Sequence, residues 1–204
     1  MNGHPLFARC WSRISGTVGS DRQRSELLTG LSGRVIEIGA GDGRNFRHYP
    51  AEVTEVLAIE PEPYLRRLAG EAAARTQAPI TVLDGTAERL PAQDGTVDYV
   101  VSSLLLCSVA DQGTALSETH RVLRSGGELR FFEHVLAQGS LGRTLQGGLD
   151  SSGIWPLLGG GCHLSRDTVA AITGGGFTLE RLRRFSSGPG SLGLPFVLGV
   201  ARRA

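Results

Sequence analysis

The sequence contains no lysine: all 21 of its basic residues are arginine. A Walker-type phosphate loop requires Gly-Lys-Ser/Thr, so that class of nucleotide hydrolase is excluded. Cysteine is scarce, with 3 residues (Cys10, Cys107 and Cys162) that are odd in number and show no CxxC spacing. This argues against a disulfide framework and against a zinc site, and it fits a reducing, cytoplasmic compartment. His4, His48 and His120 have no ligand spacing with one another or with the cysteines, so no metal is expected. An excess of one charge is also lacking. The net charge of +1 gives no global attraction to nucleic acid or to an acidic membrane. From Asn2 to Arg24 polar residues are scattered throughout, without the apolar core of a signal peptide. No apolar run is long enough to span a bilayer. Peripheral membrane contact is left open.

Glycine, by contrast, is abundant, and three glycines stand in the stretch around which the chain is organised. Val35-Ile36-Glu37-Ile38 is an apolar run ending at Gly39-Ala40-Gly41-Asp42-Gly43-Arg44-Asn45. It reads as a buried strand running into a tight turn that opens a helix. Glycines there let the backbone turn sharply or approach a ligand. The helix N-terminus would suit a nucleotide-like ligand bearing a carboxylate or phosphate. A dinucleotide fingerprint would place glycine at position 44, where Arg44 stands instead.

The 204 residues fit a single domain. Residues 1–31 read as an interrupted helical segment, with Phe7, Trp11 and Ile14 at helical spacing, that serves as a lid or packs as a core helix. Strands are expected at Arg34 to Ile38, Val53 to Glu60, Ile80 to Leu83, Val97 to Ser102 and Glu128 to Val135. Helices are expected after the glycine turn, at Tyr64 to Arg75 and at Ala115 to Leu123, the last ended by Ser125-Gly126-Gly127. The alternation implies a doubly wound, Rossmann-like α/β sheet. Residues 137–166 are rich in Gly and Leu, weakly periodic and too long for a plain connection, and read as an insertion over the cleft. A helix over Asp167 to Ile172 and two strands, Phe177 to Phe185 and Phe196 to Arg202, would close the sheet as an antiparallel hairpin.

In such sheets ligands bind at the carboxyl ends of the strands. Glu37 to Gly43, Glu60, Asp84 to Ala87, Ser102 to Leu104 and Glu133-His134 all lie at such ends. Glu60, about twenty residues past the glycine turn, stands where an acid can accept from both hydroxyls of a ribose.

Together these residues resemble the type-11 class I methyltransferases, which depend on S-adenosylmethionine (SAM). The matching motifs are Glu37-x-Gly39-x-Gly41-x-Gly43, Glu60, Gly85-Thr86-Ala87-Glu88-x-Leu90-Pro91, Asp98-Tyr99-Val100-Val101 and Arg121-Val122-Leu123-Arg124-x-Gly126-Gly127. The resemblance implies a seven-stranded sheet with its last strand antiparallel, SAM as cofactor and S-adenosylhomocysteine as product. It implies that Gly39, Gly41 and Gly43 line the methionine part, with Glu37 and Asn45 beside them. Glu60 and Pro61 would hold the ribose, Gly85, Thr86 and Ala87 would face the adenine, and Ser103 and Leu104 would lie near the sulfonium.

A narrower likeness is to the thiol S-methyltransferase-like subgroup related to phospholipid methyltransferases. It rests on Ser103 to Val109, on Phe132-Glu133-His134-Val135 and on Gly161-Cys162-x-Leu164-Ser165-Arg166. Animal members of that subgroup carry an N-terminal membrane anchor that has no counterpart in this sequence. The implied acceptor is a small molecule, a thiol first and a hydroxyl next. A lipid head group or quinone is an alternative, as is a SAM-binding protein that transfers no methyl group.

Methyl transfer needs a positioned nucleophile, and it needs a base only if that nucleophile carries a proton. His134 and Asp150 are the candidate catalytic residues, with His163 a third; a structural hydrogen bond or a solvated side chain is the competing reading for each. Cys107 and Cys162 read as small apolar packing residues.

Overall fold

A computed structural model describes residues 21–153, 155, 157, 159, 161–186 and 194–204. The lid expected over 1–31 therefore lies mostly outside the described residues. Its last part is α1, Asp21–Leu28. The sheet contains β1 (Gly33–Ile38), β2 (Val53–Ile59), β3 (Ile80–Leu83), β4 (Val97–Ser103), β5 (Leu123–His134), β6 (Phe177–Ser186) and β7 (Pro195–Arg203). Their order is β3-β2-β1-β4-β5-β7-β6. Strands β1 to β5 pair in parallel, whereas β7 runs antiparallel to both of its neighbours. The expected closing hairpin is β6–β7, with β7 on the inside.

Successive side chains alternate between the two faces, and each face has its own core. Ile36, Ile38, Val100, Leu129 and Phe131 pack with Leu116, Val122 and Ile172 on one side. Val35, Val56, Val101 and Phe132 pack with Leu27, Leu28 and Ala69 on the other. The strands are apolar toward both layers, which is the signature of parallel strands covered by helices.

The helices begin where capping residues direct. α2 (Pro63–Ala73) has proline in its first turn, and the Glu62 carboxylate accepts from the Leu65 amide at 2.7 Å. α3 (Gln112–Val122) is capped by Asp111, which accepts from the Thr114 amide at 3.1 Å. α4 (Ser140–Ser151) falls in the expected insertion, and α5 (Thr168–Gly174) is capped by Asp167. Short polar side chains at such positions satisfy amides that the first helical turn leaves unpaired.

Three local expectations are corrected. No α-helix follows the glycine turn; only a 3-10 turn, Phe46–His48, stands there. Pro50 bars any longer helix, so the turn lacks the helical N-terminus expected to attract an anion. Second, α3 ends at Val122 and Ser125-Gly126-Gly127 lies inside β5. A Cβ on Gly127 would stand 2.9 Å from the Arg124 carbonyl oxygen and 3.0 Å from that of Asp98, so the backbones are in direct contact there. Third, α4 is a regular helix in a segment whose sequence shows little periodicity. His120, on α3, meets the Phe177 ring edge-on at 5.4 Å.

Among the described residues no helix is long and apolar enough to cross a membrane. Nor does any group of three or more His, Cys, Asp or Glu among them form a candidate metal site.

Candidate active site

The strand order reverses between β1 and β4, which opens a crevice at their carboxyl ends. The loops after β1, β2, β3, β4 and β5 all reach that edge. The expected positions from Glu37 to His134 are thus brought together.

Two buried glutamates support the crevice from below. Glu37 is almost fully buried. Its carboxylate accepts from Asn45 Nδ2 at 2.8 Å and from the Tyr49 hydroxyl at 2.7 Å. Asn45 is held from its other end by Arg24 Nη1, which donates to Oδ1 at 2.7 Å and reaches Ser103 Oγ at 3.4 Å. The chain Arg24–Asn45–Glu37–Tyr49 thereby fastens α1 and the 3-10 turn to the end of β1. Glu37 and Asn45, expected to touch the cofactor, have their polar atoms engaged in holding the glycine turn.

Glu133 performs the matching task on the other face. It is fully buried, and its carboxylate accepts from Ser102 Oγ at 2.6 Å, from the Leu105 amide at 3.2 Å and from the Cys107 amide at 3.4 Å. Burial pushes both carboxyls up to about 7, against the pull of their hydrogen-bond donors. Sequence reasoning placed Glu133 at the strand end without finding this role, although an acid inside an apolar run was its visible signal. Arg24 and Tyr49 left no signal, because only the tertiary fold brings them to Glu37.

Above these supports, the glycine turn is shaped by its neighbours. Gly39 and Gly41 have φ of +67° and +59°, values that glycine adopts without strain. A Cβ on Gly39 would stand 2.6 Å from Leu105 Cδ1, whereas one on Gly41 would meet nothing within 4 Å. The turn is therefore packed on one side and open on the other. Gly43 lies tight against Phe46 and Ala72.

Glu60 caps the opening. Its Oε2 accepts from the Gly41 amide at 2.8 Å and Oε1 from the Glu62 amide at 2.9 Å. Each oxygen keeps a second lone pair for a ligand hydroxyl. Burial raises its pKa, and the two amides oppose the rise. Pro61 follows directly, and its carbonyl accepts from Arg66 Nη1 at 2.9 Å. Beyond it, Gly85 packs on Ile59, Thr86 bridges to Arg89, and Ala87 is buried.

On the far side, Leu104 has φ of +59° and is the only non-glycine residue with positive φ among the described residues. A leucine in that region is strained by roughly 1–3 kcal/mol and persists only where its surroundings hold it. The Leu104 amide donates to the Phe132 carbonyl at 2.7 Å, and the Glu133 carboxylate holds the amides just after it.

His134 is buried, and neither ring nitrogen has a hydrogen-bond partner. Its ring meets Phe196 edge-on at 5.6 Å. Burial drives its pKa down to about 4, with Asp150 pulling weakly the other way. Asp150 has a different occupation: it accepts from the Leu164 and Ser165 amides, each at 2.8 Å. These bonds hold its pKa below the usual carboxylate value and tie the end of α4 to the last residues of the insertion. His163 donates its amide to the Cys107 carbonyl at 2.9 Å.

Residues 36–131 match the family described as a methyltransferase domain. The chain is 35% identical over 166 residues to thiol S-methyltransferase TMT1A of Homo sapiens, covering 78% of this chain and 67% of that protein. It thus spans about two thirds of the length of that relative. Among solved structures, the cyclase SpnF superposes with a TM-score of 0.73 at 18% identity, covering 90% of this chain and 80% of that one. A SAM-dependent methyltransferase from Mesorhizobium loti gives 0.65 at 20% identity, covering 89% and 96%. The seven-stranded sheet is that of the class I methyltransferases. A glycine turn open on one side, an acid capping it and a strained loop facing it across the crevice fit SAM. The chain belongs to the type-11 family of class I methyltransferases and is an enzyme that takes SAM as its cofactor.

Proposed function

We propose that this enzyme methylates the sulfur of small thiols. The observation that carries the reading is that His134, at the carboxyl end of β5, has no hydrogen-bond partner on either ring nitrogen to orient it as a base. A neutral imidazole whose pKa lies near 4 is a poor acceptor for the proton of a phenol near 10 or of an alcohol. A thiol near 8.5 supplies its own thiolate by ionising in solution and needs no such base. The relationship to proteins named thiol S-methyltransferases supports the same choice.

SAM supplies a methyl group on a positively charged sulfur, ready for in-line displacement. The open side of Gly39–Gly43 would receive its methionine part, Glu60 and Pro61 its ribose, and Gly85, Thr86 and Ala87 its adenine. Ser103 and the strained Leu104 would border the reacting centre. Glu37 and Asn45 hold the turn from beneath. His134 offers the acceptor a polar contact in an apolar wall and orients it. Asp150 positions the insertion that covers the acceptor.

Isotope-labelled SAM with matched thiols, phenols and amines tests the reading. Turnover on thiols is expected, rising about tenfold per pH unit until the acceptor is ionised near 8.5. Turnover on phenols or amines with none on thiols would overturn it. For the cofactor pocket, Glu60→Ala is expected to weaken SAM binding by about 1–3 kcal/mol in calorimetry, the value of a hydrogen bond to a charged acceptor. Unchanged affinity would remove Glu60 from the ribose site.

A further inference from the structure

Cys107 closes the loop after β4, and Cys162 lies in the insertion. Their main chains run side by side there, since the His163 amide donates to the Cys107 carbonyl at 2.9 Å. That bond joins the carbonyl of Cys107 to the amide that directly follows Cys162, so the two residues are neighbours across it, and a disulfide requires their Cα atoms to lie about 4.4–6.8 Å apart. Both thiols are free, Cys107 Sγ lies 3.5 Å from Ser108 Oγ, and the two cysteines are near enough for each to shift the other's titration. Cys107 is buried and Cys162 half-buried, so a small oxidant reaches Cys162 first. The indole Nε1 of Trp155 is buried without a hydrogen-bond partner. It stands beside Cys162, since both line the space where a Cβ on Gly159 would fall.

We propose that Cys107 and Cys162 are a modification site, oxidised by hydroperoxides to a reversible disulfide that ties the insertion to the loop after β4. The Cys162 thiolate attacks one peroxide oxygen. The O–O bond breaks, and the other oxygen leaves as water or an alcohol after taking up a proton. Cys162 is then a sulfenic acid. The Cys107 sulfur attacks the Cys162 sulfur, its proton leaves with the hydroxide as water, and the S–S bond forms. Two thiols have lost two electrons and the peroxide has gained them. The contact biases the pair for this order. The proximity of Cys107 holds the Cys162 thiol below its usual pKa, while Cys107 is raised by that neighbour and by burial.

The site stands independently of the acceptor proposed above, and its test reads thiols rather than turnover. Treat the protein with dilute hydrogen peroxide, denature it in N-ethylmaleimide and measure intact mass and non-reduced peptides. Wild type is expected to fall from three alkylated cysteines to one, with a single peptide pair joining Cys107 to Cys162, and dithiothreitol is expected to restore all three. Cys10→Ser is expected to leave the cross-link intact. Cys107→Ser is expected to abolish it and leave Cys162 oxidised to sulfenic or sulfinic acid. A cross-link through Cys10 would overturn the proposal. So would a Cys162 sulfinic acid beside a free Cys107 in the wild type, or three free thiols at a peroxide dose that oxidises glutathione.

Discussion

Glu133→Ala is expected to lower stability by about 3–5 kcal/mol at pH 6, read as a drop in the urea midpoint. The substitution leaves the Ser102 hydroxyl and the Leu105 and Cys107 amides without their acceptor. Each unsatisfied buried donor costs about 1–3 kcal/mol, and a domain of this kind has only about 5–15 kcal/mol in all. The same three groups hold the loop that carries Ser103 and Leu104. Leu104 keeps its left-handed backbone only while that loop is held. Turnover is therefore expected to fall by at least tenfold at temperatures where the variant is still folded, a 1 Å misplacement near the reacting atoms being enough. Glu133→Gln keeps an acceptor and is expected to recover most of the stability. Equal stability of wild type and Glu133→Ala would refute the supporting role.

Stability is also expected to decline as pH rises from about 4.5 to 7, opposite to the behaviour of most proteins near their acid limb. Glu37 and Glu133 sit at about 7 in the folded chain, raised from 4.5. Between those values the folded state keeps protons that the unfolded chain has released, so each group loses on the order of 3 kcal/mol across the window. His134 works against them. Its folded value of about 4, against 6.5, means that below 6.5 the unfolded chain binds a proton the folded chain refuses. Its contribution therefore rises with pH by a similar amount and offsets one of the two carboxyls; His48 and His120, both lowered, add to the rise, and Glu60, raised, adds to the decline. Below pH 4 the paired carboxyls Asp98 and Asp150, both lowered, withdraw their support as they protonate. Urea titrations at pH 4.5, 5.5, 6.5 and 7.5 would show the decline. Glu133→Gln should flatten it, and His134→Phe should steepen it below 6.5. Stability rising steadily from 4.5 to 7.5 would contradict the two carboxyl assignments.

Much of this site was legible in the sequence because the strands are apolar runs broken at their carboxyl ends by glycine or acid. Val35 to Gly43 and Val56 to Glu60 show where backbone and carboxylate meet, and the fold brings them together as expected. The corrections come from short-range chemistry that was present but outweighed. Pro50 limits the segment after Gly43 to one 3-10 turn. α4 carries Leu141, Leu145 and Leu149 at a spacing of four, a helical stripe, but Gly142, Gly147 and Gly148 lower its helix propensity and those leucines are exposed. What could not be read was pairing across long separations. Arg24 to Asn45, Tyr49 to Glu37 and Glu133 to the amides of 105 and 107 are fixed only when helices and strands have packed.

The position of β7 has a consequence for how the chain comes to fold during synthesis. Among the described residues β6 pairs with no strand other than β7, and β7 is wedged between β5 and β6. When residues 177–186 leave the ribosome they have no neighbour to join. β5 waits with an open edge, which includes Phe131 and Phe132. Unpaired edges of this kind invite association with other chains. Only after residues 195–203 emerge can they slide between the two and complete both ladders at once. A nascent chain from which residues 177–186 have emerged while 195–203 have not is thus the form most in need of a chaperone, and β7 acts as the latch that ends that dependence.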